Sequence, residues 1–400
     1  MMRVILFFLC CVISLSLLAA DQEKSATVSP WLYKKLTKAE KLIEQKSYSS
    51  AQRDLQKLLG EVDQGSYEQA AVLRSLSSVH ALQGQYGKAA QLLKQCLALQ
   101  VLPEQQEQQA ILNLGQLYMA SEQYALAVKT LQPWLAKNPK PDAELSALLA
   151  NAYAQLKQYR QALPHIKRAI AASNKPSESW YQLNLALYYE LNDYASAATL
   201  LNRLLNRYPQ KKEYWEQLSS VYQQLKQYQK AVSIQHLAYE KGLLNSEKEI
   251  LALTNLFLYV GSPYKGAKLL SETIANKRVR SNSRNWETLA NAWLQAKEFD
   301  KAISALETAS KLNEKGSLYQ QLGQIYVEQE QWQKAIDAFN KAVNKGGLKH
   351  PGTAYLLMGM SYYELGNVKQ ARSAFNKAKA YKKQKKSALQ WLDYISNQDS

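Results

Sequence analysis

The chain has 400 residues and a formal net charge of +17, with 46% hydrophobic and 21% charged residues. That is a globular composition, too long for one compact core of about 250–300 residues, so several domains or a repeat array are implied. Glycine (15) and proline (10) are too scarce for a turn-rich β-sandwich or propeller, cysteine (3) too scarce for a disulfide scaffold, and the four scattered histidines offer no His-rich metal site.

Residues 1–20 read as an address. Arg3 precedes an uncharged apolar run from Val4 to Leu18, then Ala19 and Ala20, then polar Asp21 to Lys24. A basic start, a short apolar stretch and a small-residue cut site describe a secretory signal peptide. The run is short for a spanning helix, which needs about 20 apolar residues. Retention of the run as an uncleaved membrane anchor is the alternative. Leu9 precedes Cys10 and the run continues past Cys11, unlike a lipoprotein cut site. With the leader removed only Cys96 remains, at a repeat position that alanine often holds.

From residue 31 onward an aromatic residue is followed three positions later by alanine. The pairs are Tyr48/Ala51, Tyr86/Ala89, Tyr124/Ala127, Tyr159/Ala162, Tyr194/Ala197, Tyr228/Ala231, Tyr264/Ala267, Phe299/Ala302 and Trp332/Ala335, with Val368/Ala371 as an aliphatic tenth. Successive alanines lie 33 to 38 residues apart. Such a period marks an array, and one near 34 marks paired helices. Within a copy, Tyr319, Leu322, Gly323 and Tyr326, then Trp332, Ala335, Phe339 and Ala342, recur at helical offsets. Gly323 and Ala335 let two backbones approach while the aromatics fill the space beside them.

This pattern resembles the tetratricopeptide repeat. The clearest copies are Trp215-Leu218-Ser219-Tyr222-Ala231, Trp286-Leu289-Ala290-Trp293-Ala302 and Tyr355-Met358-Gly359-Tyr362-Ala371. Leu114-Gly115-Tyr118-Ala127 ends with Pro139 in the family position. The copy at Ala51 lacks the first-helix signature, and the one at Ala267 has Thr254, Asn255 and Leu258 where Leu, Gly and Tyr are expected. The resemblance implies an all-α fold: a right-handed superhelical α-solenoid of about ten helix pairs over residues 21–380. Residues 381–400 then form a capping helix and tail. In that helix Leu389, Trp391, Leu392 and Ile395 fall near one side, and Lys382, Lys383, Lys385 and Lys386 load the start.

The segments at 101–105, 178–191, 211–222 and 346–366 carry a narrower resemblance. With them the chain is similar to periplasmic tetratricopeptide proteins of Gram-negative bacteria encoded beside TonB–ExbB–ExbD energy-transduction systems. The resemblance implies an accessory role there, with a protein or peptide partner such as a TonB or ExbD periplasmic segment.

The chain holds no H-E-x-x-H, C-x-x-C, phosphate loop or G-x-S-x-G. His80 falls at a helix-packing position, and His165, His236 and His350 have no registered acidic or cysteine partner. The expectation is a non-enzymatic protein without cofactor or metal. Nucleic acid is not expected, because the aromatics fall at core positions instead of a reading surface. Membrane contact is expected only through partners or the basic C-terminal helix.

In this family the first helix of each copy lines the concave face, at positions 18, 15, 11, 8 and 7 residues before the alanine. Charged residues there are Arg74, Glu144, Glu190, Glu213, Glu216, Glu249, Arg284, Glu287, Glu328 and Glu364, with no lysine. Glu144, Glu213 and Glu249 also lie near helix starts, where a carboxylate meets the positive dipole end. The basic surplus falls on second helices, at Lys88, Lys129, Arg160, Lys230, Lys265, Lys301 and Lys334, and in Lys277-Arg278-Val279-Arg280. The candidate partner-binding residues are Gln116, Asn151, Gln182, Tyr189, Glu216, Ser220, Gln223, Tyr259, Glu287, Asn291, Gln324 and Tyr363. Amides can serve an extended peptide backbone, tyrosines a proline or alkyl chain, and glutamates a lysine or arginine. The expected ligand is a basic, extended or proline-rich segment. The alternative is a general envelope-assembly scaffold for an outer-membrane or peptidoglycan-associated protein.

Overall fold

The computed structural model describes residues 27–137 and 142–398. The leader, Pro139 and the last two residues lie outside it. The chain divides into two compact units at Leu200/Leu201. The first holds α1 (Pro30–Glu44), α2 (Tyr48–Leu59), α3 (Tyr67–Leu82), α4 (Tyr86–Ala98), α5 (Glu104–Ala120), α6 (Tyr124–Lys137), α7 (Ala143–Gln155), α8 (Tyr159–Ala172) and α9 (Glu178–Glu190). The division falls inside α10 (Tyr194–Arg207). The second unit continues with α11 (Lys212–Gln224), α12 (Tyr228–Glu240), α13 (Glu247–Tyr259), α14 (Pro263–Ala275), α15 (Ser283–Gln295) and α16 (Phe299–Leu312). It ends with α17 (Gly316–Glu328), α18 (Trp332–Lys345), α19 (Pro351–Glu364), α20 (Val368–Lys379) and α21 (Lys385–Gln398). Within each unit helices pack in consecutive pairs, and second helices also pack on the next first helix, as α2 does on α3 and α18 on α19.

The helix starts carry local signals. Ser29, Ser66, Ser246 and Asn282 accept backbone N–H bonds as N-caps, and Pro30, Pro263 and Pro351 open helices. The ends are more uniform. Lys46, Gly84, Glu122, Lys157, Asn192, Lys226, Gly261, Lys297, Glu330 and Gly366 all sit one residue past a first helix's C-cap, with φ from +55° to +74°. The following residue then donates to a carbonyl five residues back, as Gln227 does to Tyr222 (2.8 Å) and Gln331 to Tyr326 (2.8 Å). These are Schellman turns, which glycine favours because a Cβ is crowded at positive φ. Seven of the ten positions are not glycine. Lys157→Gly and Lys297→Gly should each raise the unfolding free energy by about 0.5–1 kcal/mol, the relief of left-handed strain exceeding the entropy glycine adds to the unfolded chain. Denaturant melts showing no gain at either site would contradict this.

Nine of the ten alanines are fully buried at the matching place, and Ala267 of the seventh copy is fully buried too. Opposite them the first helices place a small residue at the close approach. Built onto Gly115, a Cβ would lie 2.4 Å from Leu131, and on Gly323 and Gly359 it would lie 2.6 Å from Phe339 and 2.7 Å from Phe375. Where serine takes this place it ties the pair together: Ser77 Oγ donates to the Ala89 carbonyl (2.8 Å) and Ser219 Oγ to that of Ala231 (3.1 Å).

The seventh copy needs a correction. Its Schellman bond runs from Ser262 to the Phe257 carbonyl, so Phe257 matches Tyr222, Trp293 and Tyr326. Leu253 and Thr254 are fully buried, whereas Asn255 is exposed. The register pair is therefore Pro263/Gly266, one residue before Tyr264/Ala267. The physical reason is bulk. Thr254 stands where other copies use glycine, alanine or serine, and Gly266 restores the room by omitting the alanine methyl. A Cβ on Gly266 would come within 3.1 Å of the Thr254 carbonyl.

The first copy forms despite its missing signature. Leu32, Leu36 and Ala39 are buried in α1, while Trp31 and Tyr33 remain exposed. The C-terminal helix is rotated from its expected face. Ala388 and Ile395 are buried, Trp391 and Leu392 are half-buried, and Leu389 points out. The inward set therefore begins at residue 388, because the α20–α21 turn delays the helix to Lys385.

Candidate binding face

Cys96, at the alanine-like position of α4, is fully buried, its Sγ 3.3 Å from the Ala70 carbonyl. Burial pushes the thiol up to about 11. His80 is buried with Nδ1 2.8 Å from Gln85 Oε1, and His165 stacks on Tyr153 at 5.4 Å. His236 does meet an acid, Glu240 Oε1 at 3.6 Å one helical turn on. The described residues hold no group of three His, Cys, Asp or Glu able to hold a metal ion.

The basic surplus is used structurally in part. Lys230 lies 5.5 Å over the Tyr222 ring, Lys301 4.6 Å over Trp293, and Lys334 5.7 Å over Tyr326. The same second-helix position thus covers the same first-helix aromatic in three copies. Such exposed contacts contribute about 0.5–1 kcal/mol each. The 277–280 segment is a clamp. Val279 is buried. Arg278 donates to Tyr239 Oη (3.1 Å), the Leu244 carbonyl (3.0 Å) and Asn245 Oδ1 (3.0 Å), and Arg280 Nε donates to Glu247 (2.6 Å).

First helices of neighbouring copies touch directly, as α7 does α9 in the first unit and α17 does α19 in the second. None of the twelve candidate side chains belongs to the core. In the first unit Gln116 on α5 and Gln182 on α9 are exposed, and Asn151 on α7 and Tyr189 on α9 are half-buried. Asn151 Oδ1 accepts from Gln155 (3.4 Å), Gln182 donates to Glu178 (3.5 Å), and Tyr189 meets Tyr194 edge-on at 6.4 Å. Glu190 receives a hydrogen bond from Tyr159 on the preceding second helix.

In the second unit Glu216 and Ser220 on α11 are exposed, and Gln223 is half-buried, as are Glu287 and Asn291 on α15 and Gln324 on α17. Ser220, Gln223, Glu287, Asn291 and Gln324 make no side-chain bond among the described residues. Glu216 lies 3.8 Å from Lys212. Tyr259 is 66% exposed and leans on Tyr228, ring centroids 4.6 Å apart.

Three sequence assignments change. Tyr363 is covered: its ring lies 5.4 Å from Trp391 and 5.9 Å from Tyr394 of α21, and its hydroxyl donates to Gln398 (2.8 Å). The helix that closes the array takes this position. Glu249 leaves the face with the register shift and becomes the N3 residue of a capping box at the start of α13. Lys248 and Asn255 enter in its place, so the face is acidic on balance but not lysine-free. The signal that would have found them is the Pro263 helix start with Gly266 three residues on.

Paired antiparallel helices with buried alanine contacts and a polar face on successive first helices define an α-solenoid scaffold, a fold that is typically non-enzymatic. Residues 80–152, 153–225 and 321–385 match family models described as tetratricopeptide repeat. The chain is a tetratricopeptide repeat protein. Among solved structures it is similar to a tetratricopeptide repeat protein from Parabacteroides merdae ATCC 43184, at 13% identity and TM-score 0.40 over 70% of this chain and 93% of that one. It is also similar to MamA, at 24% identity and TM-score 0.36 over 42% and 96%. A third is YrrB, described as a TPR protein with an unusual peptide-binding site, at 14% identity and TM-score 0.38 over 49% and 100%. These scores are too low to bear on function. No curated protein matches the chain.

Proposed function

We propose that this protein is a periplasmic scaffold whose first-helix face holds a basic, extended segment of a partner protein, in the service of a TonB-type energy-transduction complex. The observation that carries the binding reading is the unpaired polar set of the second unit. Glu287, Asn291 and Gln324 are partly exposed on first helices and bond to nothing among the described residues. Folding leaves polar groups unused at such places at no gain in stability, whereas a peptide backbone and a lysine would use them. Tyr259 adds a flat, exposed ring for proline or an alkyl chain. The leader sequence supports export, and the proline- and lysine-rich periplasmic linkers of TonB proteins have the matching chemistry.

A photoreactive residue at Tyr259 is expected to crosslink a TonB linker peptide. Glu216→Lys with Glu287→Lys should weaken that peptide about tenfold, through lost attraction and added repulsion. Equal binding of an acidic peptide of the same length by the unaltered protein would rule the reading out.

A further inference from the structure

From the lysines clustered where α20 passes into α21, we infer a peripheral docking surface for an anionic lipid bilayer. Lys379, Lys382, Lys383, Lys385 and Lys386 are all exposed, and none has an acidic partner among the described residues. Across residues 341–386 there are ten lysines and one arginine against one acid, Glu364. Lys341 and Lys377 lie over Tyr319 and Tyr355, and Lys345 pairs with Glu314, so those three serve the fold. The five at the turn serve nothing in it.

The turn itself is held firmly. Tyr381 turns inward and stacks on Tyr355, ring centroids 6.1 Å apart. Gln384 Nε2 donates to Thr353 Oγ1 (3.1 Å). Both pack against the start of α19, where a Cβ on Gly352 would lie 2.6 Å from Tyr381 and 2.7 Å from Gln384. With residues 381, 384 and 388 facing in, Lys382, Lys383, Lys385 and Lys386 are left on the solvent side of one knuckle. Leu389, 38% exposed, follows one helical turn after Lys385, and Tyr394, 49% exposed, lies further along α21. Lysines backed by a few exposed apolar side chains on a terminal helix are the arrangement that anionic headgroups attract. Nucleic acid fits less well, because the one aromatic ring inside the lysine run is stacked inward. An acidic protein would call for directional donors, whereas lysines are flexible point charges suited to a diffuse anionic layer. No described helix is long and apolar enough to cross a membrane, so the contact is peripheral.

The inference stands apart from the peptide reading of the first-helix face, and vesicles and peptide test them separately. The full chain should sediment with phosphatidylglycerol-containing vesicles and not with phosphatidylcholine vesicles, and added salt should release it. Serine at Lys382, Lys383, Lys385 and Lys386 together should weaken vesicle binding by about 600-fold, each lysine near the surface contributing about fivefold. Leu389→Ser should weaken it further by a smaller factor. Serine at Lys226 and Lys297, far along the chain in other turns, is the control for general charge and should change binding little. Unchanged circular dichroism would show that the altered chains fold. Equal binding by the quadruple variant, equal binding to neutral vesicles, or binding of an acidic peptide with no vesicle binding would each overturn the inference.

Discussion

Phe339→Ala is expected to lower the stability of the second unit by about 3–5 kcal/mol, the usual loss for a large aromatic removed from a core. The ring is fully buried on α18 and fills the notch that Gly323 leaves on α17. The same contact makes Gly323→Ala costly by about 1–3 kcal/mol in the unaltered protein, because a buried aromatic ring cannot step aside as a flexible side chain can. Once Phe339 is alanine the obstruction is gone. Gly323→Ala should then stabilise by about 0.5–1 kcal/mol, the ordinary preference of a helix interior for alanine. The sign reversal is the measurable point. Two single variants and the double variant, compared by denaturant unfolding, should show strong non-additivity. If Gly323→Ala cost the same in both backgrounds, the ring would not be what requires glycine. Gly359 with Phe375 repeats the arrangement one copy later.

Glu249→Ala is expected to cost about 2–3 kcal/mol, more than a usual surface acid, because one side chain serves a helix cap and an inter-repeat contact together. Its Oε2 accepts from the backbone N–H groups of Asn245 and Ser246, both at 2.9 Å, and its Oε1 pairs with Lys212 of the preceding first helix. Partial burial acts to raise its pKa, but Lys212, Ser246 and Asn245 together outweigh that and hold it at about 2, against an ordinary 4.5. A depressed carboxylate stabilises the fold fully above its unfolded pKa. The contribution therefore shrinks as pH falls from about 4.5 towards about 2. Acid unfolding of the unaltered chain should show this slope. Glu249→Gln, which keeps an acceptor for the cap, should flatten it. An unchanged acid limb in that variant would mean that Glu249 is not held as described.

The two sites differ in how much of them the sequence records. Gly323 and Phe339 were legible, because a small residue opposite an alanine and an aromatic four residues later recur in the one-dimensional pattern. Glu249 was legible as an acid and was placed on the wrong surface. A count back from Ala267 reaches the face only if every copy keeps alanine at the close approach. The packing instead trades the methyl of that alanine for the bulk of Thr254, and the register moves by one. The candidate tyrosines differ in the same way. Tyr259 lies open beside Tyr228, whereas Tyr363, reached by the same count, lies under α21. One difference is the register, since Tyr259 stands seven residues before Gly266 and Tyr363 eight before Ala371. The other is the neighbour along the array, a further repeat in one case and the closing helix in the other.

The repeat period, the helix type, the buried alanines and the identity of the family follow from the sequence alone, since each rests on contacts between residues a fixed, short distance apart. The tertiary structure decided the register of the seventh copy, the covering of Tyr363, the clamp made by Arg278 and Arg280, and the outward set of lysines on the last turn. Those depend on which side chain from another helix reaches the same space first, and spacing along the chain carries no record of that competition.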